Sequence, residues 1–161
     1  MTDVQVQLRE GTLQDLDLAN AVIERAVMTW DLPERVKRLA MATYRYTEQD
    51  LEHLQLVLAE ATDGRVLGVA AWEDADPKDT PDGCHGLLLH GIYVDPTVHR
   101  GGVGTHLLAA AEVAAREQAM EGVLVKAQRG AEGFFVARGF RKLTVRDPAR
   151  DYPHRLWKPV R

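Results

Sequence analysis

The sequence predicts a mixed α/β layer fold, with antiparallel strands first and a β-α-β unit later. Three observations predict it. Asp63-Gly64 sits between two apolar runs, a strong hairpin signal. Residues 87–94 are almost continuously apolar and lead through a glycine cluster into an amphipathic stretch. Val123-Leu124-Val125 follows that stretch, so it is expected to run parallel to the strand before the helix. At 161 residues the chain is long enough for one domain, 1–161, with a proper core.

The elements follow in order. Val4, Val6 and Leu8 alternate with polar residues, as in a half-buried first strand. Thr12 and Asp15 have the spacing of a capping box. Leu16, Ala19, Val22, Ile23 and Ala26 then recur at helical spacing. Asp31, with Pro33 just inside, is expected to start a second helix that buries Val36, Leu39, Ala40 and Thr43. Thr47 and Asp50 suggest a short helical turn. Residues 55–60 and 65–73 form the hairpin arms. The segment 74–85 carries Pro77, Pro81 and Gly83 and is expected to be a mobile loop. Residues 87–94 read as a central strand covered on both faces. Val103, Leu107, Ala111 and Ala114 mark one side of the next helix. A later helix is expected to end at Gly139, and residues 143–146 and 154–158 to close the sheet.

Composition narrows the function classes. A formal net charge of −4 argues against a general nucleic-acid binder, which shows a basic face. Cys84 is the single cysteine and has no internal disulfide partner, which suits a reducing compartment. The first residues lack the basic start and apolar run of a signal peptide. No apolar stretch approaches the ~20 residues of a membrane span. A cytoplasmic location and no membrane partner are expected. His85 and His90 are five apart and His99 and His106 seven apart, without acidic or cysteine ligands at metal-site spacing, so no metal is expected.

The segment 92–108 carries the chemistry. A strand ends in Val94-Asp95-Pro96, and Gly101, Gly102 and Gly104 precede the helix. The first amides of a helix have no internal partner, and the helix dipole adds about half a positive charge there. Such an end holds phosphate without basic side chains, and glycine lets the backbone come close. No Gly-Lys-Ser/Thr follows, and the spacing does not fit G-x-G-x-x-G. Taken alone, the cluster is also compatible with an ordinary strand-to-helix turn.

The segment resembles the acetyl-CoA loop of the GNAT superfamily of N-acetyltransferases. That pattern, Gln/Arg-x-x-Gly-x-Gly/Ala, is met here by His99-x-x-Gly102-x-Gly104, with His99 where the family has Gln or Arg. Residues 128–140 resemble the family's Asn-x-x-Ala-x-x-Phe-Tyr-x-x-x-Gly-Phe. Ala131, Phe134, Gly139 and Phe140 match, Gln128 replaces the Asn, and Phe135 replaces the Tyr that often serves as general acid. The resemblance implies a GNAT-like fold: a mostly antiparallel sheet with one parallel, splayed strand pair, flanked by helices. It implies acetyl-CoA as cosubstrate, with Ile92, Tyr93 and Val94 along the pantetheine arm. It places His99, Arg100, Gly101, Gly102, Val103, Gly104 and Thr105 at the pyrophosphate. Gln128, Phe135 and Arg138 complete the expected cofactor set, although a surface role for Arg138 is equally open.

The implied reaction is acetyl transfer to a primary amine, small-molecule or peptide, by direct attack in a ternary complex. An alkyl amine near pKa 10.4 is protonated at pH 7, and deprotonating it costs about 4.6 kcal/mol. A base is therefore useful. A leaving thiolate near pKa 8.5 needs only about 2 kcal/mol of help. Glu73, after Trp72, and His90, within the central strand, are the candidate catalytic bases. A solvated strand end is the alternative for Glu73, and a hydrogen-bonded core histidine for His90. Asp74, Asp76, Asp79 and Asp82 make the 74–85 loop acidic, which would attract a cationic amine or simply be solvated. A catalytically weak CoA-binding module with a sensing role is the competing class, since Phe135 supplies no hydroxyl. Homodimers are common in the family, and nothing in the chain demands one.

Overall fold

The computed structural model describes residues 5–98, 100–128 and 130–161. Seven strands, β1 Val6–Glu10, β2 Gln55–Ala61, β3 Val66–Asp74, β4 Gly86–Val94, β5 Gly122–Lys126, β6 Arg141–Lys142 and β7 Arg155–Pro159, form one sheet. Its order is β1-β2-β3-β4-β5-β7-β6. β4 and β5 are parallel, Gly86 to Leu89 against Gly122 to Val125, whereas β1 with β2 and β7 with both β5 and β6 are antiparallel. Among the described residues, four α-helices accompany the sheet: α1 Leu16–Val27, α2 Glu34–Tyr44, α3 Val103–Glu117 and α4 Glu132–Val136. The mixed, mostly antiparallel architecture expected from the sequence is the one observed.

The chain divides into two compact units. One comprises residues 1–71 and 92–108, the other residues 72–91 and 109–161. In the first, Ala19, Val22, Ile23 and Ala26 of α1 pack with Leu56 and Leu58 of β2 and Val69 of β3. The Thr12 capping box is present, with the Asp15 carboxylate accepting from the Thr12 N–H at 2.8 Å. Arg9 closes on Asp15 at 3.0 Å, and with the Thr12 N–H this holds the carboxyl at about 2 against burial. Gly64 takes the left-handed conformation the hairpin turn needs, φ +90°. In the second unit, Trp157 lies over Gly86 and Gly122. A Cβ added at Gly122 would stand 2.4 Å from its ring, so only glycine lets the indole seat there.

Five expectations are corrected. α2 begins at Glu34, because Pro33 is extended (ψ 145°) and caps the helix instead of entering it. Its buried residue is Lys37, while Val36 and Leu39 are 43% and 66% exposed. The Lys37 stem lies along the protein and its Nζ donates to the Met28 carbonyl at 2.8 Å, one of the orphan acceptors ending α1. β4 is fully buried only at Gly86, Leu87, Leu89 and Tyr93; its other residues are half-buried and His90 is exposed. The 74–85 loop is pinned, with Asp79 and Thr80 buried, Lys126 on Asp79 at 3.0 Å and Thr80 donating to the Cys84 carbonyl at 2.7 Å. The last two strands are Arg141–Lys142 and Arg155–Pro159, not 143–146 and 154–158, because pairing starts at Arg141 opposite Trp157.

Candidate functional site

In the first unit, β4 delivers Ile92, Tyr93 and Val94 to Asp95. The Asp95 N–H donates to the Leu67 carbonyl at 2.8 Å. Asp95 Oδ1 accepts from the Thr97 N–H and hydroxyl at 3.0 and 2.8 Å, and Oδ2 accepts from Arg25 at 2.9 Å. Burial pushes the Asp95 carboxyl up, but the Thr97 and Arg25 hydrogen bonds outweigh it and hold the group below the usual carboxylate range. A cavity of about 530 Å³ opens beside it, lined by Glu24, Arg25, Met28, Pro96 and Thr97.

The turn after Val98 changes hand twice. Arg100 and Gly102 both have positive φ, 69° and 85°, and Gly101 is buried. The first intrahelical bond of α3 runs from the His106 N–H to the Gly102 carbonyl, 3.0 Å. The amides of Gly102, Val103 and Gly104 lie in this first turn, where donors have no intrahelical acceptor, whereas the Gly101 N–H donates to the Val98 carbonyl at 2.9 Å. Tyr93 points into an apolar cluster with Tyr44 (6.4 Å between ring centres), and burial drives its hydroxyl up. His99, expected in this loop, lies outside the described residues.

In the second unit, Glu73 and His90 meet. The Glu73 carboxylate is hydrogen-bonded to His90 Nε2 at the surface, with the two side chains 27% and 34% exposed. They come from neighbouring strands β3 and β4, so the carboxylate and the imidazole share a face of the sheet. In this contact an ionised carboxylate can only accept, so Nε2–H is the donor.

The segment after β5 is aromatic. Phe135 is buried, edge-on to Phe134 and Phe140 at 5.1 and 5.4 Å between ring centres. The Arg138 guanidinium stacks on the Phe134 ring at 3.7 Å and donates to the Phe134 carbonyl at 2.8 Å. Gln128 is half-buried, and its carbonyl accepts from Ala131 N–H. The Tyr152 hydroxyl donates to the Ala127 carbonyl at 2.7 Å, at the end of β5. Burial, then the Glu121 carboxylate, push the Cys84 thiol up, opposite to what a nucleophile needs. Arg25 and Thr97 were not singled out by sequence; Asp95 followed by Thr97 is an Asx-type turn signal that points to Thr97, whereas nothing local points to Arg25, seventy residues away.

A sequence profile of the Acetyltransferase (GNAT) family matches residues 24–140, well over half of the chain. The chain belongs to this family. GNAT proteins use acetyl-CoA as cosubstrate. No curated protein matches the chain significantly. The fold is shared with the PaiA N-acetyltransferase of Thermoplasma acidophilum, solved with coenzyme A (14% identity, TM-score 0.76, covering 97% of this chain and 99% of that one). It is similar to a GCN5-related N-acetyltransferase of Rhodopseudomonas palustris (21% identity, TM-score 0.73, 99% and 98%). It is also similar to a chain of the KacTA–DNA complex (17% identity, TM-score 0.65, 97% and 94%). Among the described residues, no helix of this GNAT protein is long and apolar enough to cross a membrane.

Proposed function

We propose that this GNAT protein transfers an acetyl group from acetyl-CoA to a primary amine by direct attack within a ternary complex. Residues 1–161 then act as one acetyltransferase domain. The observation that carries the proposal is the continuous run from β4 through the anchored Asp95 and the Arg100–Gly102 turn into α3. A strand backbone beside a glycine-rich helix N-terminus is what supports reading these residues as sites for a pantetheine arm and a pyrophosphate.

In this mechanism Ile92, Tyr93 and Val94 lie along the arm. Arg100, Gly101, Gly102, Val103, Gly104 and Thr105, with His99, surround the pyrophosphate. Gln128, Phe135 and Arg138 belong to the same binding set, Phe135 through apolar contact alone. His90 Nδ1 takes a proton from the ammonium of the acceptor, and Glu73 holds the ring in the tautomer that makes this possible. The free amine attacks the thioester carbonyl, the C–S bond breaks, the CoA thiolate leaves, and the extra proton on the amide nitrogen passes to that thiolate. Thiolate protonation is the smaller demand, so the missing hydroxyl at Phe135 is compatible with turnover.

Calorimetric titration with acetyl-CoA, and with adenosine bisphosphate lacking the pantetheine arm, tests the binding half. Tight acetyl-CoA binding that Gly102→Glu abolishes supports it; no binding at millimolar acetyl-CoA overturns it. Thiol release with an amine panel then separates transfer from the competing role, a CoA-binding sensor. That second reading is favoured by the burial of Phe135 among aromatic rings.

A further inference from the structure

The second unit also holds a cationic cavity of about 400 Å³ between the 77–83 loop and residues 141–155. Lys78, Arg141, Lys142, Arg146, Arg150 and Arg155 line it. Only two carboxylates do, Asp82 and Asp151. In a chain with net charge −4, this concentration of positive charge is local.

The wall is built. Arg155 is buried and held by three carbonyls, those of Tyr152, Asp79 and Thr144 at 3.3, 3.0 and 3.2 Å. Asp151, which accepts the Arg146 and Asp147 N–H groups, lies 3.4 Å from Arg155 and 3.6 Å from Arg150. Backbone N–H donors hold this carboxylate below its usual range, so it stays ionised and bound to its own wall. Lys142 is partnered by Glu132 at 3.5 Å and Lys78 by Asp76 at 3.6 Å. Arg141 and Arg146 have no acidic partner among the described residues, and both are exposed at the rim.

The cavity faces the same way as His90. Leu88, Leu124 and Trp157 pack together, so residues two positions along their strands, His90, Lys126 and Arg155, share that face. His90 follows the last parallel rung, Leu89 with Val125, and Lys126 is paired with Arg155. Arg155 and His90 thus lie on one face, two strands apart in the sheet order.

We infer that this cavity is an anion subsite for the acceptor: the preferred substrate is a primary amine that also carries a carboxylate or phosphate. The inference rests on the transfer reaction proposed above. It reverses the electrostatic expectation for the 74–85 loop, whose Asp79 is already occupied by Lys126. Arg141 and Arg146 provide planar, charge-assisted donors for either acid group.

The test compares kcat/KM for 8-aminooctanoate, 8-aminooctyl phosphate, octylamine and 1,8-diaminooctane, in the wild type and in Arg141→Gln/Arg146→Gln. Wild type should prefer one or both acidic amines over octylamine by tenfold or more, through KM, and which of the two wins identifies the acid group. The double variant should lose that preference while its octylamine rate and acetyl-CoA affinity stay unchanged. Equal use of the four amines by wild type, or a preference that survives in the variant, overturns the subsite. Transfer to none of them, with acetyl-CoA still bound, counts against the proposed reaction instead. In that case inorganic phosphate is titrated against the arginine Nε–H resonances. Shifts lost in the double variant uphold the anion cavity, and unperturbed resonances overturn it.

Discussion

The loop after β4 and the Glu73–His90 face are built by opposite means. The loop is backbone: a strand end, an anchored Asp95, two left-handed residues and a helix start, all within about a dozen consecutive positions. The Glu73–His90 face is side chains from separated segments, with Glu73 and His90 seventeen residues apart and Arg155 seventy-six from the Asp79 carbonyl it holds. Backbone sites tolerate side-chain exchange but not a change of hand. Side-chain sites tolerate backbone variation but not loss of one functional group.

The largest effect should come from breaking the backbone region. Gly102→Glu places a side chain and a negative charge at a φ of +85° beside the helix end, and acetyl-CoA affinity should fall by more than about 100-fold. Calorimetry checks it, with a melting curve to confirm the fold. Next comes the side-chain region. His90→Gln should lower kcat about 100-fold with little change in acetyl-CoA affinity, as expected for loss of a general base. Glu73→Gln should cost less, roughly tenfold, and should alter the pH profile of kcat. If both variants keep wild-type kcat, the pair is structural and the contrast between the two regions fails.

A fourth variant sharpens the comparison through stability. Asp15 is held at about 2 by Arg9, below its unfolded value of 3.8. Its contribution is present above about pH 4 and is lost as the pH falls towards 2. Asp15→Asn should cost about 1 kcal/mol at pH 7, and that cost should vanish on acidification; urea titrations across pH 2–7 follow it. The smallest effect belongs to Arg100→Gly. Relieving a left-handed non-glycine residue should offset the added unfolded-state freedom and leave stability within about 1 kcal/mol of wild type, while acetyl-CoA binding weakens several-fold.

The same contrast explains what the sequence discloses. The capping box at Thr12, the Asp63-Gly64 turn, the glycine loop and the parallel β4–β5 order are local patterns, and each was legible. The buried face of α2 was not. Helical spacing marks a stripe through Val36 and Leu39, but the stripe does not say whether anything packs on it, and the bond from Lys37 to Met28 decides otherwise. The loop from Asp74 looked mobile because proline and glycine report on backbone freedom, while Lys126 and Arg155 hold it from distant strands. Pairing of Glu73 with His90 was invisible in the same way, since strand register determines which side chains meet. The cationic cavity did leave a trace: Arg141, Lys142, Arg146, Arg150 and Arg155 crowd one short stretch of an otherwise acidic chain.

Trp157, seated over Gly86 and Gly122, carries one more consequence. Its indole covers the first rung of the parallel pair, where β4 and β5 begin. Intrinsic fluorescence from this residue therefore reports on that rung without any added dye. In a Trp30→Phe/Trp72→Phe background its emission isolates the opening of the two strands from the rest of unfolding, and gives the protein a native optical gauge.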